Sequence, residues 1–262
     1  PEAYEYYLKG QYKFEKRVTL EDLMVARGFY QKAVELDSTL ITAMIKLAKT
    51  FQYTNEFDTY MELSRKALNK AKKMGDKTNQ AYAYMGIGTA YYFRDGDIDK
   101  AQEYYLKGDE IAQEVGDKVL QTYFLNNLSI TYNSKGEIDK ALKYMKEMLA
   151  IAEELNDKLT LVYAYTNIGS VYQRKGELDI WYDYSKRSLA IANEIEYKTG
   201  QGYALSNIAS YHSMKEEYDI ALQKYSQVLD IYKKLGDKQR QVYTYIAIGE
   251  THLYTKKSKK SF

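Results

Sequence analysis

Asparagine recurs at one fixed interval in this sequence. Asn127, Asn167 and Asn207 follow one another at equal steps, and Asn126 precedes the first of them. An asparagine side chain offers one hydrogen-bond acceptor and two donors. A row of such amides can pair with the main chain of an extended ligand whatever its sequence, although the same amides could instead bond between neighbouring helices.

Tyrosine shows a similar regularity. The chain contains 30 tyrosines but a single tryptophan, so the ring is used far too often for each copy to have its own function. A large amphipathic ring at a fixed interval indicates a repeated structural position. We expect these rings mainly to pack, with some edges left to face a ligand. The regularly spaced tyrosines are Tyr82, Tyr123, Tyr163, Tyr203 and Tyr243.

The residues that enzymes need are missing or poorly placed. There is no cysteine, and His212 and His252 are separated by the same interval as the asparagines, which makes a poor metal site. The stretch Gly86-Ile87-Gly88 lacks the third glycine of a dinucleotide-binding fingerprint, and no Walker loop occurs. Most carboxylates fall on loop and surface positions. We therefore expect no catalytic residue, no metal site and no cofactor.

Composition restricts the partner and the compartment. The formal charge of +2 is nearly neutral, whereas nucleic-acid binders usually carry a strongly basic face. No apolar run is long enough to span a membrane. The absence of cysteine fits a reducing compartment, so we expect a cytoplasmic protein. Because the chain begins at Pro1 and not at a methionine, we expect a fragment of a longer protein.

A small residue marks a regular period along the chain. It follows a leucine or isoleucine, and an aromatic residue or histidine comes three positions later. Successive markers are equally spaced, except that the step from the second marker to the third is longer by one position. The markers are Ala48, Gly88, Ser129, Gly169, Ala209 and Gly249.

Each period is expected to hold a first and a second helix, because its apolar positions follow helical spacing. In the third repeat the first helix is predicted over about 79–95 and the second over about 98–115. Gly96 suits the left-handed conformation that ends a helix, and Asp97 can cap the next one. Two helices cannot bury an apolar face alone, so the pairs must stack.

This pattern resembles the tetratricopeptide repeat (TPR). The small residue Gly88, the tyrosine three later at Tyr91 and the alanine after the turn at Ala101 all match. HEAT repeats have a similar period, of roughly 40–47 residues. The residue pattern, and not the length of the repeat, therefore favours TPR over HEAT. The unit of about 40 residues, against about 34 in the usual TPR, is similar to the long-helix subclass of kinesin light chains, Pins-type adaptors and many bacterial regulators.

The resemblance implies an all-α fold, a right-handed superhelical solenoid of antiparallel helix pairs, as a single domain over residues 1–262. The first repeat, which opens at Tyr7-Leu8-Lys9-Gly10, resembles the leading repeat of TPR regions in bacterial multidomain signalling proteins. Those regions are fused to cyclases, kinases or transcription regulators. The expected repeats are 1–39, 40–78, 79–119, 120–159, 160–199, 200–239 and a half repeat at 240–262.

By resemblance to TPR–peptide complexes, the first helices line a concave groove and contact the ligand. Long TPR arrays hold peptides with an asparagine ladder, which implies that role for the asparagine row here. Lys46 and Lys49 suggest acidic ligand groups near the second repeat, whereas the carboxylate clamp of chaperone-binding TPRs cannot be placed. The predicted peptide-binding residues are Lys46, Lys49, Tyr82, Tyr123, Asn126, Asn127, Tyr163, Asn167, Ser170, Gln173, Arg174, Tyr203, Asn207 and Ser210.

We therefore expect a protein–protein interaction scaffold that binds an extended peptide segment in its concave groove. The alternative is a regulatory or sensory module of a bacterial signalling protein, which binds a peptide or small ligand and changes the activity of an attached domain. The final half repeat leaves an apolar helix face uncovered, so a homodimer through the terminal helix is a further option.

In most repeats an alanine follows the turn between the two helices, but in two repeats a large ring stands at that position. It is Tyr60 in the second repeat and Trp181 in the fifth. We expect the indole either to push its helices apart, with a change of superhelical pitch, or to swing outward. In other repeats the position of Trp181 is held by alanine, at Ala101, Ala141 and Ala221.

Overall fold

The computed structural model describes residues 1–17 and 19–258, and within these ranges every regular element is a helix. The all-α class is therefore confirmed. First and second helices alternate along the chain, joined by short turns. In order they are α1 (Glu2–Lys16), α2 (Leu20–Leu36), α3 (Ile41–Gln52), α4 (Phe57–Met74), α5 (Lys77–Ala90), α6 (Ile98–Glu114), α7 (Lys118–Ser134), α8 (Ile138–Glu154), α9 (Lys158–Arg174), α10 (Leu178–Glu194), α11 (Lys198–Met214), α12 (Tyr218–Lys234) and α13 (Lys238–Ser258).

The helices form two compact units. Unit 1 covers residues 1–137 and contains α1 to α7, and unit 2 begins at residue 138 and contains α8 to α13. Neighbouring helices in the sequence pack against one another within each unit. The expected repeat boundaries and the single domain over residues 1–262 stay predictions.

Short polar signals set the helix ends. The predicted left-handed conformation at Gly96 is confirmed, with φ of 64°, which glycine adopts without steric cost. The predicted cap at Asp97 is confirmed too, because its side chain accepts a hydrogen bond of 3.0 Å from the Lys100 N–H. Asp76, Asp117 and Asp157 cap α5, α7 and α9 in the same way.

A glycine on the first helix faces a tyrosine ring on the second helix in three of the pairs. These rings are buried, and a Cβ on any of the three glycines would lie 2.7 Å from a ring carbon. The absence of a side chain thus lets the two helices approach until the ring fills the space between them. The pairs are Gly10 with Tyr30, Gly88 with Tyr105 and Gly202 with Tyr232.

Trp181 is fully buried on α10, so the alternative of an indole that swings outward is wrong. Its indole packs beside Gly169 of α9, where an added Cβ would lie 3.2 Å from the indole Cδ1. The volume that a side chain at position 169 would need is thus occupied by the large ring. Tyr60 is buried similarly in α4, beside Gly86 of α5. The change of pitch stays a prediction.

The first helix of the third repeat departs from the regular helix predicted over about 79–95. Its last segment, Tyr91–Asp95, is one turn of π-helix. The interval from Gly88 to Gly96 is longer by one position than that from Ser129 to Gly136, their counterparts in the next repeat. A π turn accommodates one inserted residue without breaking the helix, so the single longer step in the repeat has a structural origin.

The hydrogen bonds at this helix end show where the extra residue goes. In the fourth repeat the Glu137 N–H donates to the Tyr132 carbonyl at 2.9 Å, which closes α7. In the third repeat the Asp97 N–H donates to the equivalent Tyr91 carbonyl at 3.1 Å across one more residue. The acceptor therefore keeps its place in the repeat, and the inserted residue widens the last turn.

Gly88→Ala tests the close approach of α5 and α6. The new methyl group would meet the Tyr105 ring, with the Ala101 carbonyl 3.2 Å away, so the pair must separate. We expect the free energy of unfolding, measured by urea denaturation with circular dichroism, to fall by about 1–3 kcal/mol.

Gly28→Ala is the matched control. Gly28 lies in α2 with no atom within 4 Å of an added Cβ, so alanine should leave stability unchanged or raise it by up to ~1 kcal/mol. If the two substitutions change the free energy of unfolding equally, the close approach of the helices at Gly88 does not contribute to stability.

Candidate functional site

A cavity of about 620 Å³ lies in unit 1 against the first helices of three successive repeats. This volume is within the range of roughly 300–1,000 Å³ in which proteins bind small organic ligands. Each of α3, α5 and α7 contributes residues three or four apart, which share one helix face. From α7, for example, the lining residues are Tyr123, Asn126, Asn127, Ile130 and Thr131.

Six of the predicted peptide-binding residues line this cavity together. They come from the second, third and fourth repeats, and they are brought together because successive first helices stack side by side. The other eight lie on α9 and α11 of unit 2. The six lining residues are Lys46, Lys49, Tyr82, Tyr123, Asn126 and Asn127.

Part of the cavity lining consists of buried hydroxyl groups, two of which belong to tyrosine rings. Tyr60 and Ser64 come from α4, and Tyr105 comes from α6. The Thr89 Oγ1 and the Tyr105 hydroxyl are hydrogen-bonded at 3.2 Å. Burial raises the pKa of Tyr105 to about 12 and raises that of Tyr60 as well, so both phenols are neutral at physiological pH.

Gly86 explains why the two buried groups of α4 can reach the cavity. A Cβ at this position would lie 2.3 Å from the Ser64 Oγ and 3.4 Å from the Tyr60 ring. Glycine therefore lets α5 pass close to α4 while both side chains remain at the cavity wall.

Lysines supply all of the charge on the described lining of the cavity. Lys46 is half-buried on α3, and Lys49 lies one turn further along the same face. Desolvation lowers the pKa of both lysines, and repulsion from Lys49 lowers that of Lys46 further. Although Lys49 keeps more accessible surface, surrounding protein atoms still withdraw its ammonium group from water.

Asn127 is half-buried in the cavity lining, and within the described residues its amide makes no hydrogen bond. The same holds for the half-buried Asn207 on α11. These two amides therefore do not carry the hydrogen bonds between neighbouring helices that the sequence left open. Asn167 on α9 is also half-buried.

The other polar residues predicted to bind a peptide in unit 2 differ in burial and in hydrogen bonding. The Ser170 hydroxyl donates to the Thr166 carbonyl at 3.0 Å within α9. The Ser210 hydroxyl pairs with the Tyr225 hydroxyl of α12 at 2.9 Å, so this side chain joins the two helices of its own pair. Gln173 is half-buried and Arg174 is exposed.

The regularly spaced tyrosines lie at the surface, apart from the half-buried Tyr82. Tyr123, Tyr163 and Tyr203 are 48%, 45% and 40% exposed, which leaves a ring edge accessible. Their hydroxyls can still form hydrogen bonds within the protein, since the Tyr163 hydroxyl lies 2.8 Å from the hydroxyl of Tyr197, in the turn before α11. The buried tyrosines are all different residues, and most of them lie on second helices.

Several lining residues were not among the predicted peptide-binding residues. Tyr92 and Phe93 reach the cavity from the π turn, and the buried Tyr60 and Tyr105 reach it from second helices. The single longer step between repeat markers was the one available signal for the π turn. No repeat position predicted that second helices would contribute.

Two observations bear on metals and membranes. Among the described side chains, no group of three or more histidine, aspartate or glutamate residues is placed to hold a metal ion. None of the helices in the described ranges combines the length and apolar character needed to cross a bilayer.

Several solved structures share this fold at low sequence identity. BtubC (BKLC) from P. vanneervenii gives a TM-score of 0.69 at 19% identity, covering 85% of this chain and 94% of that one. A Rap protein complexed with competence and sporulation factor gives 0.70 at 17%, covering 97% and 75%. The Cut9–Hcn1 hetero-tetramer of the APC/C gives 0.74 at 18%, covering 95% and 43%. At these identities the similarity shows the fold alone.

No curated protein matches the sequence. The family model for the tetratricopeptide repeat matches residues 79–154 and 160–234, which is more than half of the chain. The matched residues span most of the third to sixth helix pairs, α5 to α12. The chain therefore belongs to the tetratricopeptide repeat family.

Proposed function

We propose that this protein is an interaction scaffold that binds an extended peptide segment along the first helices of its repeats. The TPR fold supports a protein–protein interaction scaffold in general. The observation that carries the specific proposal is the cavity of unit 1, which three successive first helices line with amide, phenol and ammonium groups.

The chemistry of the asparagine row suits a main chain. A peptide in extended form presents N–H and C=O groups along its length, and each must find a partner when it leaves water. The Asn127 amide can donate to a carbonyl and accept from an N–H, which gives affinity with little dependence on sequence. Specificity would then come from side chains that enter the cavity.

The near-neutral charge supports a protein or peptide as partner over nucleic acid. We also propose a cytoplasmic location.

A regulatory module is the second candidate, because the cavity has the volume of a small-ligand site. In that case the ligand would act on a domain attached to the repeats.

Asn127→Ala tests the role of the amide. A peptide selected on the protein from a random display library should bind this variant roughly 3- to 10-fold more weakly in a calorimetric titration, since one or two hydrogen bonds are lost. The helix content should not change, because Asn127 makes no hydrogen bond within the described residues.

Asn69→Ala is the control, because Asn69 is an exposed asparagine on the second helix α4. Its substitution should leave affinity unchanged. If Asn127→Ala binds the peptide as tightly as this control, the amide does not recognise the ligand.

The terminal helix supports a proposal about self-association. Val242, Tyr245 and Ile246 on α13 are 54%, 51% and 52% exposed, and an added Cβ at Gly249 would meet no atom within 4 Å. At the matching Gly169 of α9 the second helix α10 covers the position. We propose that α13 of a second copy covers this apolar face in a homodimer.

Ile246→Lys would place a charge in the centre of that contact. Light scattering coupled to size-exclusion chromatography should show a dimer for the unaltered protein at high concentration and a monomer for the variant. Ile220→Lys, at a similarly exposed isoleucine on α12, should remain dimeric. A monomer at every concentration for the unaltered protein refutes the dimer.

A further inference from the structure

The cavity of unit 1 is asymmetric in charge. Lys46 and Lys49, three positions apart on α3, are its charged groups, and no carboxylate is found among the described lining residues. The remaining lining is aromatic, apolar or neutral polar. One end of the cavity is therefore positive, whereas its interior offers apolar surface.

The two ammonium groups have no close partner of opposite charge among the described residues. Within the described part of the chain neither lysine takes part in an ion pair, although Glu15 lies near enough to offset some of the loss at Lys46. Arg17 adds positive charge close to Lys49. An anion between the two lysines would relieve their repulsion and replace part of the lost hydration, so the free site favours an anionic ligand.

The interior suits an apolar group. Ile45 and Met85 line it together with the rings of Tyr60 and Tyr105. The π turn adds Phe93, which stacks on Phe57 with ring centroids 5.5 Å apart and remains 60% exposed. A methionine among aromatic rings adapts its shape to the group that enters.

We propose that this cavity binds a carboxylate, held by Lys46 and Lys49, that is joined by a short link to an aromatic or large apolar group packed against Met85 and the tyrosine wall. This inference rests on the proposed peptide scaffold where the carboxylate belongs to a peptide. A free aryl carboxylate carries the same chemistry.

The experiment uses two matched pairs of probes on the full chain. One pair is a blocked tetrapeptide with adjacent glutamate and phenylalanine, and its glutamine analogue. The other pair is phenylpropionate and its uncharged amide. The carboxylate member of at least one pair should bind about tenfold more tightly in calorimetric titration, as expected for a lost charge-assisted hydrogen bond.

The double substitution K46Q/K49Q should abolish this preference. K143Q/K146Q is the control, because those lysines have the same spacing on α8 of unit 2 and should leave the preference intact. The thermal midpoint of K46Q/K49Q should be at least that of the unaltered protein, because two desolvated charges are removed, so loss of the preference is not misfolding.

The outcomes separate this inference from the proposed function. Equal binding of charged and neutral probes, a preference that survives in K46Q/K49Q, or no saturable binding of either carboxylate overturns the inference. A library-selected peptide that binds K46Q/K49Q as well as the unaltered protein leaves the scaffold proposal standing. Lysine-dependent binding of phenylpropionate without any peptide binding supports the inference and contradicts the peptide scaffold.

Discussion

The close approach of two helices at a residue without a side chain is the constraint on which the rest of the structure depends. Gly88 in α5 and Gly202 in α11 each accept the ring of a buried tyrosine from the second helix. Where the ring is larger, as with Trp181, Gly169 again stands opposite. Because these pairs are closed in this way, their first helices are free to present the opposite face to a ligand.

The irregular repeat of unit 1 shows how a binding site can arise from a regular array. One inserted residue after Gly88 converts the last turn of the first helix into the π turn Tyr91–Asp95. That turn brings Tyr92 and Phe93 to the cavity, and Gly86 admits Tyr60 from α4. The cavity therefore depends on two local departures from the repeat and not on the repeat alone.

Residue patterns predicted what is local. The helical periodicity, the left-handed Gly96 and the cap at Asp97 all have short-range causes, and each was correct. The cavity of unit 1 could not be predicted, because it depends on which side chains of second helices reach between first helices. An inserted residue could have lengthened the turn instead of the helix. The burial of Trp181 likewise depends on a glycine in another helix.

The central claim is that the first helices of unit 1 form the ligand-binding face. Hydrogen–deuterium exchange of the full chain, with and without a display-selected peptide, tests it most directly, since bound ligand slows local opening of the helices that it contacts. The account predicts added protection in 41–52, 77–95 and 118–134, which contain α3, α5 with the π turn, and α7. Protection confined to the second helices α4 and α6, or to unit 2, would contradict it.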